Sequence, residues 1–552
     1  MAEKIDDKEY PKSPSVQESF AQDETAGDIY HGEHKLVRQL KNRHIAMISI
    51  GGVIGTGLFL GTATSLERGG PVGLLLGYLA VGSITYSVMI SLGEMVAYLP
   101  IPGGHIKLAE RFVDPAFSFT MGWNYWYNWI IVLPAELSAA SVLINYWNHS
   151  VNDAAWITII MVVVIGINML GAGVYGEAEF MFASIKVITI TGLIILGIVL
   201  DLGGGPDHDR LGFRFWKHPG PFVQYDGFSG AKGRFLGWWA VMTQAAFSYI
   251  GTEIVAIAAG EAKNPRRNLP KAIRRVYIRI LLFYIGGVII IGLLVPSNDP
   301  GLNLGSGTAA GSPFVIAIKR SGIKALPSII NACLLTSAWS AGSSDLYTSS
   351  RALYGLAAAG NAPRIFLKTL SNGLPVASIV FCSLFSTLAY MGVKSGSGKT
   401  SRRKVFGWFS NMTSIAGLMT WFGICVTYLR FYKGMKVQGY DRTQLPFASR
   451  LQPFAAWYAL VFCIVIAFFS GWATLLKGKW VTADFVTNYL PFALFPVLYA
   501  GAKLYYWRQG NSLYWISAEK MDFVTNIAEI EADTYDDPPP KNKLEAFWAW
   551  LM

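Results

Sequence analysis

Charge is what this chain is short of. Lysine, arginine, aspartate and glutamate make up 15% of its 552 residues while 52% are hydrophobic, against about 25% charged residues in soluble domains. A water-facing surface cannot be covered with so few charges. Cysteine is also sparse: Cys333, Cys382, Cys425 and Cys463 are widely spaced, in or beside apolar runs. That excludes a disulfide framework or zinc motif and reads as packing. Paired histidines at metal-ligand spacing and a nucleophile elbow are missing, so no metal, cofactor or enzymatic chemistry is expected. The N-terminus has no short hydrophobic core followed by a small-residue cleavage site, so no cleaved signal peptide is expected. The net charge of +11 would suit nucleic acid, but the basic residues sit in short loops between apolar runs and read as topology signals. No nucleic-acid partner is expected.

Two glycine motifs also fail. Gly396-Ser397-Gly398-Lys399-Thr400 lacks the first glycine of a phosphate loop, whose place falls on Val393. Gly52-Val53-Ile54-Gly55-Thr56-Gly57 reverses the dinucleotide spacing, and no βαβ unit surrounds it.

Apolar sequence is what remains. Runs long enough to cross a bilayer fall near 45–66, 73–98, 121–147, 155–172, 180–201, 235–259, 276–296, 327–355, 376–393, 405–430, 455–475 and 483–506. They predict an all-α polytopic membrane protein with twelve transmembrane helices over 45–506. Flanking it are a disordered cytosolic tail over 1–44 and a polar cytosolic tail over 507–552, with a short interfacial helix near Leu544–Leu551. The 261–279 loop carries seven basic residues against the single acid Glu261, which marks the cytosol and places both termini inside. The 430–442 loop agrees, whereas the basic residues of 394–404 fall on the side that should be outside. Asn148-His149-Ser150 is a glycosylation sequon on an outer loop that hugs the membrane.

The first run contains Ser49-Ile50-Gly51-Gly52-Val53-Ile54-Gly55-Thr56-Gly57-Leu58-Phe59, with four glycines in its nine central residues. Glycine costs about 1 kcal/mol relative to alanine inside a helix, so this run predicts local unwinding. Unwound backbone at membrane depth is tolerated only inside protein or along a cavity. Ile54-Gly55-Thr56-Gly57 is echoed by Ile250-Gly251-Thr252-Glu253 in the sixth run. Five runs separate the two, an odd number, which makes the repeat inverted. Interrupted helices at matching positions of two inverted halves point to a mid-membrane binding site.

Several stretches in this order and spacing carry a resemblance. They are Gly51–Phe59, Ser91-Leu92-Gly93-Glu94-Met95, Pro102-Gly103-Gly104, Trp123–Glu136, and Phe247–Glu253 running into Gly260–Arg266. From about 40 to 505 the chain resembles the fungal amino-acid permeases, the yeast-type branch of the amino acid–polyamine–organocation superfamily. The resemblance implies ten core helices in two inverted five-helix repeats plus two peripheral helices, with discontinuous helices 1 and 6, and amino-acid uptake coupled to protons. The substrate carboxylate would meet the helix start at Gly55, Thr56 and Gly57, where free amides and the positive dipole end favour an anion. Carbonyls near Ile50, Gly51, Phe247 and Ser248 would accept from the ammonium, with Tyr249, Gly251 and Thr252 completing the site. Close helix packing is the plain alternative for the glycines.

Ionisable residues inside the membrane are costly and mark function. Glu136, Lys186, Glu253 and Asp345 stand out. Desolvation works against the charged form of a buried lysine and lets it exchange a proton. Lys186 also matches the lysine that superfamily members without sodium dependence carry in place of a cation site. It is the expected proton-coupling residue, or else a structural partner fixing its helix. Glu253 either gates or caps freed amides; Glu136 contacts substrate or proton, or serves as a buried hydrogen-bonding group. Glu94 and Arg111, near helix ends, read as structural. Tyr249, Trp126 and Tyr127 either occlude the site or pack.

The expected partners are an amino acid, protons and the lipid bilayer, with trafficking or ubiquitination machinery at the tails. The expected place is the plasma membrane. A sensor or an exchanger on the same fold is the alternative. The accepted side chain stays open among neutral, acidic and basic.

Overall fold

The computed structural model describes residues 54–101, 103–147, 150–254, 280–302, 312–393 and 399–532, together with positions 278 and 542. Ile50 and Gly51, Asn148 of the sequon, most of the 261–279 loop, 394–398 and the Leu544–Leu551 segment lie outside the described residues. Among the described residues there is no strand.

The main helices are α1 (Thr62–Tyr98), entered through a π-helical turn at Gly57–Gly61, α2 (Gly104–Phe112), α3 (Pro115–Ile144), α4 (Asp153–Met169), α5 (Ala172–Asp201) and α6 (Gly230–Tyr249). They are followed by α7 (Gly286–Leu294), α8 (Leu326–Ala358), α9 (Val376–Phe385), α10 (Lys399–Val437), α11 (Phe454–Phe469) and α12 (Thr482–Arg508). Within this set, Gly57–Tyr98, Pro115–Ile144, Ala172–Asp201, Lys404–Val437 and Thr482–Arg508 are long and apolar enough to cross a membrane, and Asp153–Met169, Leu281–Leu294, Val376–Gly392 and Phe454–Phe469 are shorter apolar helices.

The first two apolar runs, near 45–66 and 73–98, are joined by a one-residue kink. Gly70 adopts φ +74°, ψ 175°, directly before Pro71. Proline drives the preceding residue out of the α region, and glycine alone takes positive φ without penalty. The kink reverses the chain along α6. Down the first limb, Gly57 meets Ser248, Gly61 meets Gln244 and Gly69 meets Val241; along the second, Gly73 meets Trp238 and Gly77 returns to Val241. Small residues four apart let backbones approach this closely in a membrane. The packing alternative for the glycines is therefore part of the answer.

Two helix pairs pack most extensively, α1 on α6 and α3 on α8. Helix α8 carries Ser337, Ser340, Ser343, Ser344 and Asp345, all buried, so protein rather than lipid surrounds its polar face. Helices α5 and α12 are peripheral, with Ile188 71% and Val497 67% exposed. All four cysteines are free, three of them buried.

Glu94 is fully buried. It accepts hydrogen bonds from Tyr428 Oη (2.6 Å), Arg442 Nη1 (2.9 Å) and the Ser449 amide (2.6 Å), tying α1 to α10 and the loop after it. This is the structural role expected from its place in the sequence. Arg111 is likewise structural, but through a partner the sequence did not suggest. Beyond α12, residues 512–527 run back across one face of the helical body, called here the tail side. Arg111 donates to the Asp522 and Thr525 carbonyls (2.6 and 2.8 Å), Tyr98 to the Phe523 carbonyl (3.0 Å), and Gln438 to the Ala518 and Met521 carbonyls (2.8 Å each). Phe523 is 1% exposed and packs on Phe112, Phe431 and Tyr440.

Two outcomes are expected. A Cβ on Gly57 would lie 2.8 Å from Ser248 Cα, whereas one on Gly61 meets the mobile end of Gln244. Gly57→Ala should therefore incur overpacking of about 3 kcal/mol and lose the monodisperse peak in gel filtration, while Gly61→Ala keeps it. Phe523→Ala removes a buried anchor worth about 3–5 kcal/mol, and limited proteolysis should then cut the 512–532 segment faster while the helical body stays resistant.

Candidate functional site

The break in the sixth run is visible atom by atom. Helix α6 stops at Tyr249; Ile250 is extended (ψ 141°) and Gly251 has φ +100°. The Ile250 side chain fills a notch at Gly417 of α10, where a Cβ would lie 2.4 Å from it. A Cβ on Gly251 would sit 3.3 Å from the Trp129 ring in an already strained conformation. Glu253, fully buried, folds back so that one carboxylate oxygen accepts from the Gly251 amide (3.2 Å) and Trp421 Nε1 (3.1 Å). Of the two roles weighed for it, capping of freed backbone is present. Its other oxygen, Oε1, has no hydrogen-bond partner.

Among the described residues of the first run, helix starts at Thr56, directly against this break. Thr56 makes no side-chain cap; its hydroxyl donates instead to Glu136 Oε1 at 2.7 Å. Gly57 lies against Phe247 and Ser248, so Gly55, Thr56, Gly57, Phe247, Ser248, Gly251 and Thr252 form one locus. Side chains within it divide. Ser248 shares a 2.8 Å hydrogen bond with the Tyr78 hydroxyl, and the Tyr249 hydroxyl donates to the Tyr78 carbonyl at 3.1 Å. Tyr249 also stacks on Tyr284 with centroids 4.6 Å apart. These two side chains hold α1 and the π-helical turn Ile280–Ile285 that leads into α7 in place. Phe247 faces the other way, into a cluster with Tyr125, Trp129, Val132 and Tyr175. Trp126 packs outward on Phe381 and Phe385 of the α9 region, so it is a packing residue.

A buried charge cluster adjoins the locus. Glu136 (α3), Lys186 (α5) and Asp345 (α8) are 3%, 1% and 4% exposed. Lys186 Nζ lies 3.8 Å from Glu179 Oε1, and Glu179 Oε2 accepts from Ser340 at 2.6 Å. Asp345 feels the charges of Glu136, Lys186 and Glu179, and Glu136 that of Lys186. Three carboxylates thus face one ammonium among the described residues. Unpaired ions cost several kcal/mol each in such an interior, so the surplus acids need bound protons or a cationic ligand. Groups of His, Cys, Asp and Glu with metal-holding geometry are not found among the described residues.

A helix break that frees backbone groups beside a charge cluster suits a small zwitterion, and comparison with known proteins decides the family. The pattern of the family described as "Amino acid permease" matches residues 44–512. This chain belongs to that family. The permease is 40% identical to the "Proline-specific permease" of Emericella nidulans over 549 residues, 98% of each chain. It is 43% identical to the "Dicarboxylic amino acid permease" of Saccharomyces cerevisiae over 478 residues, 86% of this chain and 78% of that one. The "Lysine-specific permease" of the same yeast is 40% identical over 524 residues, 94% and 83% of the two chains. The permease is accordingly an integral membrane protein of amino-acid transport and not an enzyme.

Sequence reasoning passed over Glu179. It lies one residue before the run that begins at 180, so it reads as a helix end. Its signal was the spacing to Lys186: seven residues are two helical turns, which puts both on one face. Tyr175, one turn earlier again, donates to Ser344 Oγ at 3.0 Å and stacks on Tyr347 at 3.9 Å. Arg351 lies 3.2 Å above the same ring.

The Thr56–Glu136 hydrogen bond joins the two broadest helix pairs. Hydrogen bonds to charged groups contribute about 1.5–3 kcal/mol. In a double-mutant cycle of Thr56→Val and Glu136→Gln, measured by thermal unfolding of the purified permease, the losses should be non-additive by at least the lower figure.

Proposed function

We propose that this permease takes up amino acids by proton symport through alternating access, on twelve transmembrane helices. Ten would form two inverted five-helix repeats, with two more at the periphery and helices 1 and 6 discontinuous. The plasma membrane, with both termini and the tail side cytosolic, is the setting this reading assigns. The observation that carries it is the surplus of buried carboxylates beside paired helix ends: Glu136, Glu179 and Asp345 against Lys186. The substrate carboxylate docks on the amides at Gly55, Thr56 and Gly57, which Thr56 leaves uncapped. The ammonium docks on carbonyls freed near Ile50, Gly51 and Phe247–Gly251. Because the Ser248 and Tyr249 side chains are held by Tyr78, their contribution is backbone. A proton shared within the cluster reduces its excess negative charge, and its release on the tail side resets the carrier. Lys186 is the coupling residue in this scheme, and Glu253 the gate at the sixth-helix break.

Relatives at nearly the same identity are named for proline, lysine and dicarboxylic amino acids, so the side chain has to be found by experiment. In a permease-deficient yeast, uptake of a panel of labelled amino acids should show accumulation of at least one. That uptake should rise as external pH falls and collapse with a proton uncoupler, and Lys186→Ala should abolish the pH response. Accumulation of none would overturn transport. Uptake indifferent to pH, to uncoupler and to Lys186→Ala would overturn symport and leave exchange.

A further inference from the structure

Helix α2, which links the two spans on either side of it across the tail side, carries a histidine that the scheme above does not use. His105 is fully buried, two residues from exposed Gly103 and exposed Lys107. Neither ring nitrogen has a hydrogen-bond partner. Its ring meets that of Tyr125 edge-on, centroids 5.0 Å apart, and Tyr125 meets Trp129 at 5.9 Å. Trp129 in turn packs on Gly251, whose amide is bonded to Glu253. Tyr125 lies within the field of the Glu253 charge. Along this line the Tyr125 hydroxyl, Thr252 Oγ1 and Glu253 Oε1 are all buried and unpartnered.

Buried polar groups are satisfied in more than nine cases of ten, and clusters of orphans ordinarily hold water. Here the orphans form a file from the sixth-helix break to the tail-side surface. We propose that His105 is the tail-side end of a proton path from Glu253 through Tyr125, the route by which the transported proton leaves. The Glu253 carboxyl gives its proton to the Tyr125 oxygen, directly or through a water, as the tyrosine passes its own onward. One imidazole nitrogen of His105 accepts while the other releases a proton toward the tail-side surface, which leaves the ring neutral as its other tautomer until a ring flip resets it. A neutral imidazole holds one acceptor and one donor, which this handover requires. His105 rests neutral, because burial pushes its pKa down to about 3 and no charged group opposes that. On its own helix Lys107 pairs with Glu110 at 2.8 Å and Arg111 with Asp522 at 3.0 Å. The charge facing the path from beyond α2 is Glu253 itself.

The inference rests on the proton-symport reading, and the test separates the two. His105→Phe keeps the ring and its edge contact with Tyr125; His105→Gln keeps a donor and an acceptor but cannot hand a proton through. Both variants are compared with wild type in two assays, normalised to permease at the cell surface. One is net uptake driven by a pH gradient. The other is counterflow of labelled against unlabelled substrate without a gradient, in which the loaded carrier returns and no proton needs to leave. Net uptake should fall about a hundredfold in both variants, the lower end of a proton-transfer contribution, with counterflow unchanged. A packing role predicts rescue by Phe, and a hydrogen-bonding role predicts rescue by Gln; either rescue, an unchanged ratio, or a parallel fall in both assays overturns the proposal. Wild-type uptake indifferent to an uncoupler would instead sink the symport reading itself.

Discussion

The backbone approach of Gly57 to Ser248 is the contact on which the rest of the molecule depends. With no room for a Cβ between them, the start of the first helix and the end of α6 lie side by side. The reversal at Gly70 then wraps α1 around both sides of α6. Tyr78, on the returning limb, reaches across to Ser248 and Tyr249. Backbone that has left helical geometry is thus surrounded by protein, the condition under which it survives at membrane depth. Ile250 lodged against Gly417 and the Glu253 carboxylate on the Gly251 amide hold the break open on its other side.

Around that contact the permease is organised as two helix pairs meeting along a polar seam. The α1–α6 pair carries the breaks, and the α3–α8 pair carries Glu136 and Asp345. Among their contacts are one short hydrogen bond, Thr56 to Glu136, the Trp129 ring over Gly251, and Phe247 against Tyr125, Trp129 and Val132. A seam of this kind can be unmade and remade at far lower cost than the interdigitated glycine face within each pair. Lys186 and Glu179 reach the seam from α5, a peripheral helix whose outer face is apolar and exposed. The charge surplus therefore lies where the two pairs meet.

Much of this was legible before any coordinates. Composition alone marked a membrane protein, and the glycines of Gly55–Gly57 and Gly251 pointed to the locus that the structure assembles. Lys186, Glu136 and Asp345 were conspicuous because a charge within an apolar run is rare. Glu179 escaped the same rule because it falls at the edge of its run, where a carboxylate costs little in a linear reading. Tyr78 and His105 escaped because a tyrosine or a single histidine in a helical protein is unremarkable until its neighbours are known. The gap between the runs near 45–66 and 73–98 did not show how short the turn is: Gly70 and Pro71 turn the chain within one residue. The polar stretch after α12 gave no hint that Phe523 would be buried against Phe112 and Phe431.

What the sequence determined by itself was local. Hydrophobic length sets which segments can leave water, and glycine content sets where a helix is weak enough to break; both are properties of neighbours along the chain. Which break meets which, and which acid shares space with Lys186, was decided by tertiary structure alone. Those relations depend on helices scores of residues apart coming within a few ångströms: Thr56 and Glu136 are 80 positions apart, and Glu179 and Ser340 are 161 apart. Electrostatics in a low-dielectric interior acts across space and takes no account of order along the chain.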